Sequence, residues 1–242
     1  MSTTAVPRPR PATGPHGAGR PLWVSVEGIN GVGKSTAVRA VAAALGPRCL
    51  RLEELTDQSA DSLPGQVITA LAAGGDVCLR TGHPVTETLA LLALKFRESE
   101  RLTTARPKGV QIVLEDRGVD SVAVCQAAIL HAEHPATPAP AIAERILATA
   151  RRWRPMPDAT VLLVGDSDVC AARFAERIGR AVPPDARAVI KHTGRLYRRL
   201  AAAEPDRYTL IDVSGCSPQE AAKALEEAVR AAEAHREAAH AA

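Results

Sequence analysis

Three glycines, a lysine and a serine are clustered near the start of the sequence, in the octapeptide GINGVGKS at residues 28–35. Their spacing satisfies the pattern G-x-x-x-x-G-K-[ST] of a phosphate-binding loop. Glycines let successive backbone N–H groups turn toward a phosphate without a Cβ clash, and the first turn of a following helix adds partial positive charge. The stretch therefore predicts a loop that holds the phosphates of a nucleotide.

The polar residues at the end of this loop have predicted roles of their own. The charge of Lys34 suits the β and γ phosphates, and the Ser35 hydroxyl is placed to ligate Mg²⁺. The predicted nucleotide contacts are Gly28, Ile29, Asn30, Gly31, Val32, Gly33, Lys34, Ser35 and Thr36. The alternative is a glycine-rich turn without a ligand. The position of the pattern, between a predicted strand and a predicted helix, disfavours that alternative.

A second group of charged residues ends an apolar run in VQIVLEDRGVDSVAVCQ, residues 110–126. The carboxyl ends of parallel strands face the ligand crevice, so Glu115, Asp116 and Arg117 are expected to point at the same phosphates. Asp116 could hold Mg²⁺ directly or through water, and Arg117 could clamp an anionic acceptor. A local ion pair that caps the strand is the alternative interpretation.

A third segment, RFAERIGRAVPPDAR at residues 173–187, brings several arginines to the end of a predicted helix. An exposed arginine-rich helix would explain this composition without any function. The other interpretation is a mobile lid, because phosphoryl transfer develops negative charge that a closing guanidinium can stabilise.

The elements that must position these residues alternate along the chain. Apolar, β-branched clusters predict five strands, at residues 22–27, 49–55, 110–115, 159–164 and 208–213. Helices are predicted at residues 34–45, 62–73, 85–105, 119–131, 139–152, 167–178, 186–203 and 217–239. This alternation predicts an α/β fold with a five-stranded parallel sheet covered by helices on both faces.

Composition narrows the classes of protein. The net charge of +3 comes from interspersed acids and bases, which argues against a nucleic-acid partner. The five cysteines include no C-x-x-C pair, so a reduced, cytoplasmic setting is expected. No apolar run is long enough to span a membrane. Residues 1–20 are predicted to be a disordered tail, and residues 21–242 a single kinase domain with its lid at about 173–187.

Together these segments resemble the thymidylate kinase family of P-loop kinases, from about residue 21 to the end of the chain. VEGINGVGKST resembles the family's first motif, and EDRGVDSVAVCQ resembles its D-R-Y-x-x-S-x-x-A-Y-Q signature. The matching signature positions are Asp116, Arg117, Ser121 and Gln126. LLALKFRESE resembles the helix that presents an acceptor-binding arginine, which would be Arg97.

The resemblance implies an ATP-dependent kinase that uses Mg²⁺, a nucleoside monophosphate acceptor, and usually a homodimer. Carried over to this sequence, Lys34 is catalytic and Ser35 and Asp116 bind the metal. The lid would contribute two catalytic arginines, Arg177 and Arg180. The acceptor would be bound by Arg97, Arg117, Ser121 and Gln126.

The departures from the family pattern concern the acceptor. Asn30 replaces a loop carboxylate, Gly118 and Cys125 replace two tyrosines, and Ala93 stands where an aromatic ring often stacks on thymine. Residues 57–59, Asp-Gln-Ser, stand where members have an arginine-glutamate-proline stretch. We therefore expect a degenerate, wider acceptor pocket that binds dTMP weakly.

Three functions remain open from the sequence. The leading hypothesis is an ATP-dependent kinase of a nucleoside monophosphate, with dTMP as the first acceptor to consider. A kinase of a nucleoside or other metabolite hydroxyl is the alternative, with Glu115 as a general base. The last is a non-catalytic nucleotide-binding switch. It would not be a GTPase that reads guanine with an N-K-x-D motif, because Asn30 is the only asparagine in the chain.

Overall fold

A computed structural model describes residues 20–72, 74–105 and 107–241. Its sheet consists of parallel strands in the order β2-β3-β1-β4-β5. The strands are β1 (Leu22–Glu27), β2 (Cys49–Leu52), β3 (Ile112–Asp116), β4 (Ala159–Val164) and β5 (Tyr208–Asp212). The predicted α/β class with a five-stranded parallel sheet is confirmed. The tail predicted for residues 1–20 lies outside the described residues, apart from Arg20.

Helices connect every pair of successive strands, as parallel pairing requires. They are α1 (Lys34–Leu45), α2 (Leu63–Ala72), α3 (Pro84–Ala105), α4 (Val119–Glu133), α5 (Ala139–Trp153), α6 (Ser167–Ile178), α7 (Pro184–Ala203) and α8 (Pro218–Ala241). Two short 3₁₀ helices, Gly46–Arg48 and Leu55–Asp57, flank β2. The largest boundary difference is at β2, which ends at Leu52 and leaves residues 53–55 beyond the strand.

Hydrophobic cores cover both faces of the sheet. On one face α1 and α8 pack against β1, with Val38, Val41 and Leu225 among the buried side chains. On the other face α3, α4, α5 and α7 share a second core that includes Leu147 and Leu196. All six residues of the central strand β1 are buried. Within the described chain, no helix is long and apolar enough to cross a membrane.

The strand register brings the ends of three strands to one edge of the sheet. Val26 of β1 lies opposite Asp116 of β3, and Leu52 of β2 lies opposite Glu115. The residues that follow these strands therefore meet at the carboxyl edge, where ligands bind in open α/β sheets.

A buried ion pair joins the start of β5 to α4. Arg207 donates from Nη1 to Oδ2 of Asp120 at 2.7 Å and from Nη2 to Oδ1 at 2.9 Å. The Asp120 residue is fully buried, so its charge depends on this two-pronged partner.

We expect Arg207→Ala to lower the free energy of unfolding by about 3 kcal/mol or more, because it leaves a buried carboxylate without its partner. Arg230→Ala is the matched control. Arg230 pairs with Glu226 on the exposed side of α8, and exposed pairs contribute about 1 kcal/mol or less. Urea unfolding measures both variants. Equal losses would contradict this account of Arg207.

Candidate active site

The loop between β1 and α1 turns through three glycines with positive φ. The φ angles are 143° at Gly28, 80° at Gly31 and 102° at Gly33. A Cβ at Gly31 would lie 1.9 Å from the carbonyl oxygen of Cys170, and one at Gly28 would lie 2.5 Å from that of Leu163. Only glycine fits here, because the loop is pressed against the ends of β4 and α6.

Lys34 begins α1 with its side chain folded back into the loop. Its Nζ donates to the carbonyl oxygen of Ile29 at 2.9 Å, and the residue is buried. Burial and the charge of Arg117 lower the pKa of Lys34 to about 8. Bound phosphates would favour the charged form of this amine, so the arrangement is suited to an anion. Lys34 lines the same surface depression as Ser35, Thr36, Arg173 and Arg177.

Asp116 and Ser35 fit the predicted metal site. The Asp116 residue is only 1% exposed, and neither carboxylate oxygen has a hydrogen-bond partner among the residues described. Burial raises the pKa of Asp116 above its ordinary value, although the charge of Lys34 opposes this shift. An unsatisfied buried carboxylate beside a hydroxyl suits Mg²⁺, which binds through one or two carboxylates together with substrate phosphates. In the described part of the chain no cluster of three or more His, Cys, Asp or Glu residues could hold a metal alone.

Arg117 follows β3 in a left-handed backbone conformation, with φ of 62°. Its Nε forms an ion pair with Oε1 of Glu54 at 2.8 Å. Its Nη2 donates to Oδ1 of Asn30. Burial would raise the pKa of Glu54, but Arg117, Lys34 and Arg177 hold it below its ordinary value. A carboxylate that the sequence analysis did not consider therefore lies at the centre of the site.

An apolar cavity, which we call the acceptor pocket, opens beside Arg117. It encloses about 890 Å³, including its opening to solvent. Its apolar lining includes Leu55, Ile68, Leu79, Leu91, Val122, Cys125 and Ile129, and its polar lining includes Asn30, Glu54, Lys95, Arg117, Ser121, Gln126 and Thr193. No aromatic side chain is among the described residues that line it. Shape and packing, rather than ring stacking, must therefore hold whatever enters it.

Gln126 and Thr193 offer polar contacts in this pocket. Gln126 accepts a hydrogen bond at Oε1 from Thr88 Oγ1 at 3.0 Å, which leaves its amide nitrogen as a donor. The Thr193 residue is 3% exposed, and its hydroxyl has no partner within the described structure. A ligand in the pocket could satisfy both groups.

In this structure Arg97 lies apart from the other predicted acceptor contacts. Arg97 does not line the acceptor pocket but a separate depression with Arg51 and Arg101. The α3 residues in the pocket are Leu91 and Lys95. Helical residues two positions apart point about 200° apart, so Lys95 and Arg97 cannot face the same cavity. The sequence signal for Lys95 was its place among the buried leucines 91, 92 and 94.

Glu27, the last residue of β1, accepts hydrogen bonds at both oxygens. Oε1 accepts from Ser25 Oγ at 2.7 Å and from Gly118 N at 2.8 Å. Oε2 accepts from Ser121 Oγ at 2.5 Å and from Tyr197 OH at 2.9 Å. The Ser121 hydroxyl is therefore occupied inside the protein, although the residue borders the acceptor pocket.

The same network explains the glycine at position 118. A Cβ there would lie 2.5 Å from Ser25 Oγ and 3.0 Å from Glu115 Oε2. The buried polar groups, rather than the size of the acceptor, leave no room for a side chain. The interpretation of Gly118 as added space in the pocket is not supported by this geometry.

Glu115 is held in a separate set of buried contacts. Its Oε2 accepts from Trp23 Nε1 at 2.8 Å and from Arg154 Nη2 at 3.1 Å, and Lys95 Nζ lies 3.3 Å from Oε1. Burial opposes the charge, but Arg154 and Lys95 lower the pKa of Glu115 to about 2. Glu115 does not line the acceptor pocket, which disfavours it as a general base.

The predicted lid joins the end of α6 to the start of α7. Arg177 stacks over the Phe174 ring at 5.2 Å and lines the depression beside the phosphate loop. Arg180 points elsewhere and donates to the carbonyl oxygen of Gly75. Asp185, at the start of α7, pairs with Arg80 at 2.7 Å. Two contacts thus tie the lid to residues 74–80, of which 77–79 line the acceptor pocket.

A phosphate loop between a strand and a helix, with an aspartate at the end of the neighbouring strand, defines a P-loop nucleotide-binding protein. An arginine directly after that aspartate and an apolar pocket beside it narrow the class further. The family model for thymidylate kinase matches residues 26–223. The chain belongs to the thymidylate kinase family, whose members are ATP-dependent phosphotransferases.

Individual relatives support this assignment. A thymidylate kinase of Rhodopseudomonas palustris is 29% identical over 220 residues, covering 87% of this chain and 89% of the relative. A probable thymidylate kinase of Halorubrum lacusprofundi is 29% identical over 207 residues, covering 85% and 96%. The solved thymidylate kinase of Candida albicans aligns with a TM-score of 0.64 at 16% identity, covering 89% and 94%, and matches the fold.

We expect Gly118→Ala to lower the free energy of unfolding by about 1–3 kcal/mol, because the new methyl group crowds Ser25 and displaces the Glu27 hydrogen bonds. Gly74→Ala is the control, since a Cβ at Gly74 meets nothing within 4 Å. Chemical denaturation of both variants tests the explanation. A stable Gly118→Ala variant would restore the idea that this glycine serves the acceptor.

Proposed function

We propose that the protein transfers the γ-phosphoryl group of ATP to a nucleoside monophosphate, dTMP or a related nucleotide. The proposal rests on one observation. The donor site and the acceptor pocket lie next to each other at one edge of the sheet. Lys34 and Ser35 lie on the donor side with Asp116 close to them, and Arg117 lines the acceptor pocket next to them.

The roles follow from the chemistry of each side chain. The loop of residues 28–36 would hold the phosphates of ATP, and Ser35 and Asp116 would hold Mg²⁺, which neutralises charge on the transferred group. Lys34 and Arg177 would stabilise the negative charge of the transition state. Arg117 would orient the acceptor phosphate through its two-pronged donor geometry.

The aliphatic lining of the acceptor pocket bears on which base is bound. Base stacking on an aromatic ring is worth about 1–3 kcal/mol, which this pocket does not supply. The amide nitrogen of Gln126 and the hydroxyl of Thr193 remain to recognise the polar edge of a base. We therefore propose that dTMP binds weakly and that a related nucleotide of different shape is accepted as well.

A hydroxyl acceptor is the second candidate, and Glu54 is the observation that favours it. Its carboxylate lies in the pocket beside Arg117, where a general base for a nucleoside hydroxyl would be needed. Glu115, the base expected from the sequence, is held by Arg154 and Trp23 instead. A nucleotide-binding switch without transfer uses the same donor site, and no separate contact favours it.

We further propose a homodimer in the cytoplasm, without a nucleic-acid or membrane partner. Val85 and Leu89 are one helical turn apart on α3 and are 58% and 59% exposed. Covering such a pair suits a subunit interface. Light scattering measures the molar mass of the purified protein. We expect the mass of a dimer for the unmodified protein and a lower mass for a Leu89→Lys variant.

Coupled ADP-release assays with a panel of monophosphates and nucleosides test the function. We expect turnover with dTMP or another monophosphate, and at least a hundredfold loss of kcat/KM in Arg117→Ala. Lys34→Ala should remove transfer altogether while the circular dichroism spectrum stays unchanged. Turnover with nucleosides alone, indifferent to Arg117, would favour the hydroxyl kinase. ATP binding without turnover of any acceptor would favour the switch.

Comparison of the two lid arginines tests their catalytic roles. We expect Arg177→Ala to lower kcat by about a hundredfold or more with little change in ATP affinity, as for a contact made mainly in the transition state. Arg180→Ala should lower kcat by a similar factor only if the lid rearranges, because Arg180 binds the Gly75 carbonyl in this structure. Arg152→Ala, on the exposed face of α5, is the control. An increase in KM alone would make Arg177 a ground-state binder.

A further inference from the structure

Glu54 is the one carboxylate among the described residues that line the acceptor pocket. It also reaches the donor side. Its Oε1 lies 2.8 Å from Nε of Arg117, and its Oε2 accepts a long hydrogen bond of 3.5 Å from Ser35 Oγ. One side chain thus contacts both the residue that would hold the acceptor phosphate and a residue that would hold the metal.

Arg117 needs this partner while no acceptor is bound. The Arg117 residue is 8% exposed, and a buried guanidinium without a counter-charge is costly. The amide oxygen of Asn30 contributes a hydrogen bond but no charge. Glu54 therefore keeps the arginine paired. The same pairing opposes an incoming acceptor phosphate, because two anions would share one guanidinium.

Glu54 has a possible second partner on the donor side of the site. Asp116 lies there with both carboxylate oxygens buried and without a hydrogen-bond partner within the described chain, and a cation held beside Ser35 would supply that partner. A divalent cation held there would accept a carboxylate oxygen directly or through water, which gives Glu54 an alternative to its ion pair with Arg117.

We propose that Glu54 is a positioning residue that couples the two sites. It pairs with Arg117 in the empty protein and turns toward the metal when the donor site is loaded, which leaves Arg117 for the acceptor phosphate. This inference rests on the proposed monophosphate kinase function. Acceptor affinity is then raised by the loaded donor site, and by linkage the acceptor raises metal affinity by the same factor.

Calorimetric titration with dTMP tests the coupling, once in EDTA and once with saturating Mg²⁺ and the non-hydrolysable analogue AMP-PNP. In the unmodified protein we expect dTMP to bind on the order of tenfold tighter in the loaded state. Glu54→Gln should bind dTMP about tenfold tighter than the unmodified protein in EDTA, with the difference between the two states reduced to less than about threefold. Glu53→Gln is the matched control, since Glu53 is the adjacent carboxylate and pairs with Arg51 on the surface.

Ser35→Ala tests the same coupling from the metal side and keeps the Glu54–Arg117 pair. It should bind dTMP weakly in both states, whereas Glu54→Gln should bind it tightly in both. An undiminished difference between the two states in Glu54→Gln, or weaker dTMP binding by that variant in EDTA, would overturn the proposal.

A second measurement separates this inference from the choice of acceptor. The affinity of Mn²⁺ for the AMP-PNP complex, followed by electron paramagnetic resonance, should fall several-fold in Glu54→Gln and stay unchanged in Glu53→Gln. Equal Mn²⁺ affinity in both variants would refute the role of Glu54. If the unmodified protein binds no dTMP at all, the proposed acceptor is wrong, and the Mn²⁺ result alone decides whether Glu54 turns toward the metal.

Discussion

A buried carboxylate at the end of the central strand determines the geometry of the whole site. Glu27 accepts hydrogen bonds from β1, from the turn after β3 and from α7, through Ser25, Gly118 and Tyr197. Burial raises its pKa, and without these donors its charge would be strongly unfavourable. The phosphate loop begins one residue after Glu27, and Arg117 precedes Gly118. The positions of the phosphate loop and of Arg117 relative to each other therefore depend on a network of hydrogen bonds made inside the protein.

The site itself is an arrangement of charges suited to phosphates. Lys34, Arg117 and Arg177 act together on Glu54, and Asp116 lies beside them without a partner of its own. An excess of positive charge in a sheltered cleft attracts polyanions and strengthens each contact made to them. The acceptor pocket next to it combines an aliphatic wall with a few charged groups, so the two halves of the cleft are suited to different parts of their ligands.

The sequence predicts best the features that depend on local pattern. The glycine loop at residues 28–33 and the alternation of strands and helices needed only spacing, and both match the structure. Which face of a helix or strand each residue occupies was not predicted from the sequence. The leucines at positions 91, 92 and 94 flank Lys95, but the family pattern pointed to Arg97, which lies on another side of α3. Glu54 was overlooked because β2 ends three residues earlier than its apolar run. The crowding around Gly118 was not anticipated, because it comes largely from Ser25 on another strand, together with Glu115.

The contacts that tie the lid to residues 74–80 have a consequence for product release. Arg180 holds the Gly75 carbonyl and Arg80 holds Asp185, and the segment between them closes one side of the acceptor pocket. Any opening of the lid breaks these contacts and loosens the wall of the pocket at the same time. Exposed pairs of this kind contribute about 1 kcal/mol or less, so these contacts are easily broken. In the proposed kinase, departure of the spent donor and departure of the phosphorylated product would therefore share one motion of the chain.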